Sequence, residues 1–192
     1  LEYGPITSSG GAASYALYGA TSADGAGSSV AGGDLDGDGY DDLIVGASGA
    51  SSSAGAVYVV LGPLTADMDL ASADISFTGV ASGDAAGVSI ALGDSDGDGS
   101  ADLVMGADYN DTSANNGGAA YLFYGPFTAG TASLSSAAAE IGGSNSNARA
   151  GGSIAFGDVD NDGYEDLLLG ASRQSVTYAY GGAGLLMMGD QR

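Results

Sequence analysis

Three stretches of the 192-residue chain decide its fold: residues 27–47 (GSSVAGGDLDGDGYDDLIVGA), 87–107 (GVSIALGDSDGDGSADLVMGA) and 151–171 (GGSIAFGDVDNDGYEDLLLGA). They align without gaps, and their first acidic residues, Asp34, Asp94 and Asp158, are 60 and 64 residues apart. Chance similarity in a chain rich in Gly, Ala and Ser would not keep three acidic centres and their flanks in register. The chain is therefore built from internal repeats, which determine its architecture.

Each repeat predicts short β-strands rather than helices. The run before the second acidic centre (88–92) is too short for a helix, and a continuous apolar run follows each centre (43–45, 103–105, 167–169), as in strands buried on both faces. A third strand is predicted over 55–62, 118–125 and 182–189, and a fourth over 75–79 and 140–143. Four short strands in about 60 residues match the size of a propeller blade or a small sheet unit. The predicted fold is all-β.

The acidic centre of each repeat has the pattern Asp-x-Asp-x-Asp-Gly-x-x-Asp, which predicts a calcium loop. Oxygen donors at alternate positions suit Ca²⁺, which takes about 6–8 oxygen ligands, and the Gly allows a sharp turn. Side chains at positions one, three, five and nine, and the main-chain carbonyl at position seven, are the predicted ligands. The first loop supplies Asp34, Asp36, Asp38, Tyr40 and Asp42. The second supplies Asp94, Asp96, Asp98, Ser100 and Asp102, and the third Asp158, Asp160, Asp162, Tyr164 and Asp166.

Other interpretations of these loops explain less. An EF-hand needs Glu at position twelve and flanking helices, whereas this chain has Val45, Met105 and Leu169 there, between strands. Solvated Asp-Gly turns are common singly but not as three matched nine-residue patterns. A catalytic carboxylate pair is unnecessary, because the ligand spacing already accounts for the acids. Mg²⁺ stays an alternative ion, although it is seldom held by protein ligands alone.

The whole pattern resembles the FG-GAP repeat of integrin α-chain β-propellers and of many secreted bacterial proteins. The resemblance rests on the loop, the apolar strand, the following Gly-Ala (46–47, 106–107, 170–171) and Gly-Ala-x-Tyr of the next strand. It implies blades of four antiparallel strands, with each loop joining the first two strands, and three calcium sites with the ligands named above. It divides the chain, a single propeller segment, into blades at 27–79 and 87–143 and a blade at 151–189 that lacks its fourth strand.

Three calcium blades form an incomplete ring, because closed propellers have about 4–8 blades. Residues 1–5 resemble the end of a third strand and residues 15–19 a fourth strand, so 1–19 are predicted to complete a neighbouring blade. Two copies exchanging these ends would give a six-bladed dimer. The alternatives are a filament of copies, or a fragment or processed product of a longer propeller.

Composition excludes several function classes. Three Arg and no Lys stand against 24 acidic residues, for a formal charge of −21, so nucleic acid and anionic membranes are not expected partners. No apolar run approaches the roughly 20 residues of a membrane span. The chain has no Cys or His, which excludes disulfides and His-based catalysis. We expect a non-enzymatic, secreted or cell-surface module for adhesion, ligand binding or assembly, with a protein or glycan ligand. A lectin-like or enzyme-associated propeller domain is the alternative.

Overall fold

The computed structural model describes residues 15–175 and 179–190, and these residues are dominated by short β-strands. In chain order the strands are β1 (Leu17–Tyr18), β2 (Ala26–Gly33), β3 (Asp42–Ala47), β4 (Ala56–Val60), β5 (Met68–Asp69), β6 (Ile75–Thr78), β7 (Ser89–Gly93), β8 (Asp102–Ala107), β9 (Ala119–Phe123), β10 (Gly130–Ser133), β11 (Ala139–Gly142), β12 (Ala150–Gly157), β13 (Asp166–Ala171) and β14 (Ala183–Met187). One helical turn, α1 (Ala50–Ser53), and two 3-10 turns (Leu70–Ser72 and Leu134–Ser136) lie between strands. None of these helices is long and apolar enough to cross a bilayer, within the described residues.

Each repeat forms one antiparallel sheet. The first contains β2, β3, β4 and β6, the second β7, β8, β9 and β11, and the third β12, β13 and β14. The predicted all-β fold of propeller-like blades is confirmed, and the described residues do not close a ring. Predicted strands agree with observed ones within one or two residues. The exact limits of the three blade units stay a prediction.

A parallel strand joins the first sheet to the second repeat, a feature that the sequence did not predict. Strand β10, from the connection between β9 and β11, pairs in parallel with β6, so the first sheet has five strands. Strand β5, from the equivalent connection of the first repeat, pairs in parallel with β1. The predicted fourth strand at 15–19 therefore exists as β1, whereas residues 1–5 lie outside the described residues. The first and second repeats are therefore interlocked as well as stacked.

The hydrophobic core lies between neighbouring sheets. Between the first and second sheets, Ile44, Val57 and Val59 pack with Leu103 and Met105, all fully buried. Between the second and third sheets, the equivalent strands contribute Val104 and Leu122 on one side and Leu167 and Leu169 on the other. The second sheet thus has one face toward the first repeat and the other toward the third. This explains why the strand after each loop is apolar on both faces.

The glycine of each Gly-Ala pair allows neighbouring blades to approach closely. A Cβ atom added at Gly46 would overlap the carbonyl oxygen of Gly87, and one added at Gly106 would overlap that of Gly151. The same carbonyls accept hydrogen bonds from the hydroxyls of Ser29 (2.8 Å) and Ser89 (2.6 Å). Backbone contact between blades therefore requires a residue without a side chain at this position.

Replacing Gly106 with Ala is expected to destabilise the fold by about 1–3 kcal/mol, because the new methyl group overlaps backbone that cannot rotate away. Gly184→Ala is the matched control: its Cβ would meet only a Leu168 methyl at 3.6 Å, and the equivalent positions hold Val57 and Ala120. Urea unfolding in calcium measures both variants. Equal stability of the two would contradict the close-approach argument.

Candidate metal centre

Each predicted acidic loop joins the first and second strands of its sheet, and the structure gathers three of its carboxylates. Oxygens from positions one, three and nine lie within 4.8 Å of one another in every repeat. The three groups are Asp34, Asp36 and Asp42; Asp94, Asp96 and Asp102; and Asp158, Asp160 and Asp166. Such all-oxygen clusters could hold hard cations. Nine of the twelve predicted aspartate ligands are thus placed together.

The loop backbone keeps the carboxylate of position one directed inward. In all three loops this carboxylate accepts a hydrogen bond from the N–H of the position-six glycine, over 2.9 Å in the first loop, 3.0 Å in the second and 3.1 Å in the third. That glycine has a φ between +86° and +96°. Position four also has positive φ and is occupied by Gly37, Gly97 and Asn161, residue types that tolerate this conformation. The sequence prediction explained the glycine at position six but not the one at position four.

The aspartate at position nine is a structural anchor as well as a candidate ligand. Asp42, Asp102 and Asp166 are at most 1% exposed. In each, one oxygen accepts from the N–H of position two and the other from the N–H of the glycine after the third strand. For Asp102 the donors are Ser95 N (2.9 Å) and Gly125 N (3.1 Å), and the Ser95 hydroxyl adds a third hydrogen bond (2.6 Å). This residue therefore ties the loop to the third strand.

Burial raises the pKa of the Asp102 carboxyl, and the donors on Ser95 and Gly125 oppose that rise. The competing causes are those expected for a carboxylate removed from water but hydrogen-bonded in its charged form. A bound cation would add a further influence in favour of the charged form.

The carboxylate at position five is arranged differently from the others. Asp38, Asp98 and Asp162 are outside the three-oxygen groups. Each instead accepts a hydrogen bond from the N–H of position seven, at 2.8, 2.7 and 2.9 Å from Tyr40, Ser100 and Tyr164 respectively. Their role as ligands, and that of the position-seven carbonyls, stays a prediction.

Two features of the second loop add to this picture. The Oδ1 atom of Asp94 is buried and has no hydrogen-bond partner among the described residues, so it lacks compensation for its lost hydration. Glu165, from the third loop, accepts a hydrogen bond from Asp94 N at 2.9 Å and links the two loops. Sequence reasoning missed Glu165, because the equivalent residues of the other repeats are Asp41 and Ala101 and the repeats therefore gave no signal.

Comparison with known proteins agrees with the repeat structure. The chain matches no curated protein. The family model described as FG-GAP repeat matches three times, over residues 26–60, 86–123 and 150–187, together more than half of the chain. Each match covers the first three strands of one sheet and the acidic loop between the first two. The chain therefore belongs to the FG-GAP repeat family.

Proposed function

We propose that this chain is a calcium-stabilised, extracellular β-propeller module that binds a ligand or builds an assembly and does not catalyse a reaction. The observation that carries the proposal is the recurrence of one three-carboxylate cluster in all three repeats. Calcium sites of extracellular modules have Kd values of about 10⁻⁴–10⁻³ M, which suit the millimolar calcium outside cells. Further propeller blades, from another copy or from the remainder of a longer chain, belong to the same proposal.

The residues present fit calcium by their chemistry. Every clustered side chain offers a carboxylate oxygen, and no nitrogen or sulfur donor accompanies them. The orphaned Oδ1 of Asp94 gains a partner if a cation occupies the second loop. The position-one and position-three carboxylates would hold the ion, while the position-nine carboxylate would hold it from the sheet side. Bound calcium would supply charge neutralisation and cross-linking of the loop, not a reaction step.

The non-enzymatic part of the proposal is supported by the use of the acidic residues. Both oxygens of each position-nine carboxylate accept a hydrogen bond from a backbone N–H group. In this proposal the clustered carboxylates bind a structural ion. Adhesion or ligand binding would then depend on surfaces that the loaded loops hold in place.

Calcium titration by calorimetry is expected to give three sites per chain. Asp36→Ala should weaken one site and leave two, because it removes one of the three clustered carboxylates of the first loop. Asp41→Ala is the matched control: Asp41 belongs to the same loop and carries the same charge, but it is exposed and lies outside the cluster. A chain that binds no calcium, or an Asp41→Ala variant that loses a site as Asp36→Ala does, would contradict the proposal.

A further inference from the structure

Two residues of the third loop, Tyr164 and Glu165, contact the second loop, and we propose that they couple calcium binding at these two loops. Both act as positioning residues, because they hold the second loop in place and belong to a different loop from the ion that they favour. This inference deepens the calcium part of the proposed function and rests on it, since binding can be coupled only between loops that bind an ion.

Glu165 exchanges two hydrogen bonds with Asp94, the position-one residue of the second loop. The Glu165 carboxylate accepts from Asp94 N over 2.9 Å, and Glu165 N donates to Asp94 O over 3.1 Å. The same carboxylate lies against Gly93, where an added Cβ would overlap its Oε2 atom. The backbone that begins the second loop is therefore held by a residue of the third.

The ring of Tyr164 lies against the turn of the second loop. A Cβ added at Gly97, which is position four of that loop, would overlap the ring, and Tyr164 is partly buried. The counterpart of Gly97 in the first loop is Gly37, where an added Cβ would meet nothing within 4 Å. Tyr164 and Glu165 thus form a bridge between the second and third loops at two separate points.

The bridge joins groups that belong to the two candidate ion sites. Tyr164 N donates to the Asp162 carboxylate over 2.9 Å, and Glu165 directly precedes the clustered Asp166. Asp94, at the other end of the bridge, is itself a clustered carboxylate. An ion that orders the third loop would fix the bridge, so the second loop would lose less conformational freedom when it binds its own ion. Coupling of this kind is reciprocal.

The first and second loops lack an equivalent bridge. The second-loop residues that correspond to Tyr164 and Glu165 are Ser100 and Ala101. They line a cavity of about 380 Å³ whose other side includes Asp34 of the first loop. Because these shorter side chains leave the space between the loops open, we expect the first loop to bind calcium with much weaker coupling to the second.

One backbone hydrogen bond is common to both pairs of loops. Phe127 N donates to Leu35 O over 3.0 Å, and Asp190 N donates to Ser95 O over 3.1 Å. The acceptors are the position-two residues of the first and second loops, and each donor follows the third strand of the next sheet. Since both pairs have this link, a difference in coupling between them depends on the bridge.

Calcium titration followed by amide NMR tests the coupling, because one glycine N–H in each loop donates to the position-one carboxylate: Gly39, Gly99 and Gly163. The third-loop variant, Asp160→Ala, removes a clustered carboxylate. It should raise the calcium concentration at the Gly99 midpoint about five-fold or more, since coupled sites change each other's affinity about 5–150-fold. The first-loop variant, Asp36→Ala, makes the same change at the same loop position and should move this midpoint much less.

A bridge-free chain is made by Tyr164→Ser/Glu165→Ala, which gives the third loop the residue types of the second loop at these positions. In this chain the third-loop variant should move the Gly99 midpoint no more than the first-loop variant does. Glu165→Gln alone should keep the coupling, because the carbonyl oxygen of Gln can still accept from Asp94 N. Circular dichroism in saturating calcium checks that each variant is folded.

The reverse exchange, Ser100→Tyr/Ala101→Glu, places larger side chains in the cavity beside Asp34. In this chain the first-loop variant should raise the Gly99 midpoint by about the factor that the third-loop variant produces in the natural sequence. This gain would support the inference independently of any variant that removes a contact.

Equal shifts of the Gly99 midpoint by the first-loop and third-loop variants of the natural sequence would overturn the inference. Coupling that survives in the bridge-free chain, or that is lost in Glu165→Gln, would overturn it too. So would an equal rise of the Gly39 and Gly99 midpoints in the third-loop variant, since coupling would then act through folding of the whole chain. Three sites that fill independently would leave the calcium proposal intact, whereas a chain without calcium binding would overturn both.

Discussion

Removal of calcium with EDTA is expected to lower the melting temperature of this chain drastically and to unfold it at physiological temperature. Fourteen of the 24 acidic residues, including the twelve predicted aspartate ligands, lie in the three loops. In each loop, carboxylate oxygens from three side chains lie within 4.8 Å of one another. Two unit charges at 4 Å repel by about 4 kcal/mol at an effective dielectric constant of 20. Three bound Ca²⁺ ions would change the formal charge from −21 to −15 and remove this local repulsion.

The size of the effect follows from mass action. A ligand bound only by the folded state contributes about 1.4 kcal/mol per site at ten times its Kd and about 2.7 kcal/mol at 100 times. Three sites therefore contribute about 4–8 kcal/mol, which is comparable with the whole stability of a typical domain, about 5–15 kcal/mol. Thermal unfolding followed by circular dichroism, in calcium and in EDTA at equal ionic strength, measures the difference.

The control for EDTA is the addition of calcium or magnesium back to the same sample. Calcium should restore the original melting curve, whereas magnesium should restore less, because it retains water ligands and demands a tighter octahedral geometry. An unchanged melting curve in excess EDTA would remove the calcium interpretation.

Asp102→Asn is expected to cost about 3 kcal/mol or more, even in saturating calcium. Asp102 is fully buried, and its two oxygens accept from Ser95 and Gly125. An amide of the same shape places an NH₂ group against one of these N–H donors, so both become unsatisfied. Hydrogen bonds to charged groups contribute about 1.5–3 kcal/mol each, and a buried unsatisfied donor costs about 1–3 kcal/mol.

Asp98→Asn is the matched control, because it makes the same chemical change in the same loop. Asp98 is exposed and accepts one hydrogen bond, from Ser100 N. Its replacement should raise the calcium concentration needed for full stability but should restore that stability once calcium saturates the site. Urea unfolding over a range of calcium concentrations separates the two behaviours. Recovery of Asp102→Asn at high calcium would show that position nine acts through the ion alone.

The repeats made most of the fold and the site predictable. Three aligned copies fixed the acidic loops and the strands around them, since a residue required by the fold recurs at the same position. The double role of Asp42, Asp102 and Asp166 was not predictable, because an aspartate that binds backbone N–H groups has the same spacing as one that binds an ion. Glu165 was missed because its contact to Asp94 occurs in one repeat only, so comparison of the repeats gave no signal for it.

The parallel strands were missed because their sequences carry little β signal. Strand β5 contains Met and Asp, and β10 is Gly-Thr-Ala-Ser. These residues are mostly outside the β-branched and aromatic types that favour strands. They pair because the edge of the preceding sheet has unsatisfied N–H and C=O groups. Tertiary context, rather than local preference, determines these two strands.

The pairing of β10 with β6 has a consequence for folding during synthesis. The first sheet receives its fifth strand from residues 130–133, more than 50 residues after β6 ends at Thr78. At synthesis rates of about 5–20 residues per second, this edge stays open for about 3–10 s before its partner emerges. We therefore expect the second repeat to complete the edge of the first sheet as it emerges from the ribosome. Unfolding should then be cooperative across the first two blades, because the first cannot open fully without releasing the strand that it has received from the second.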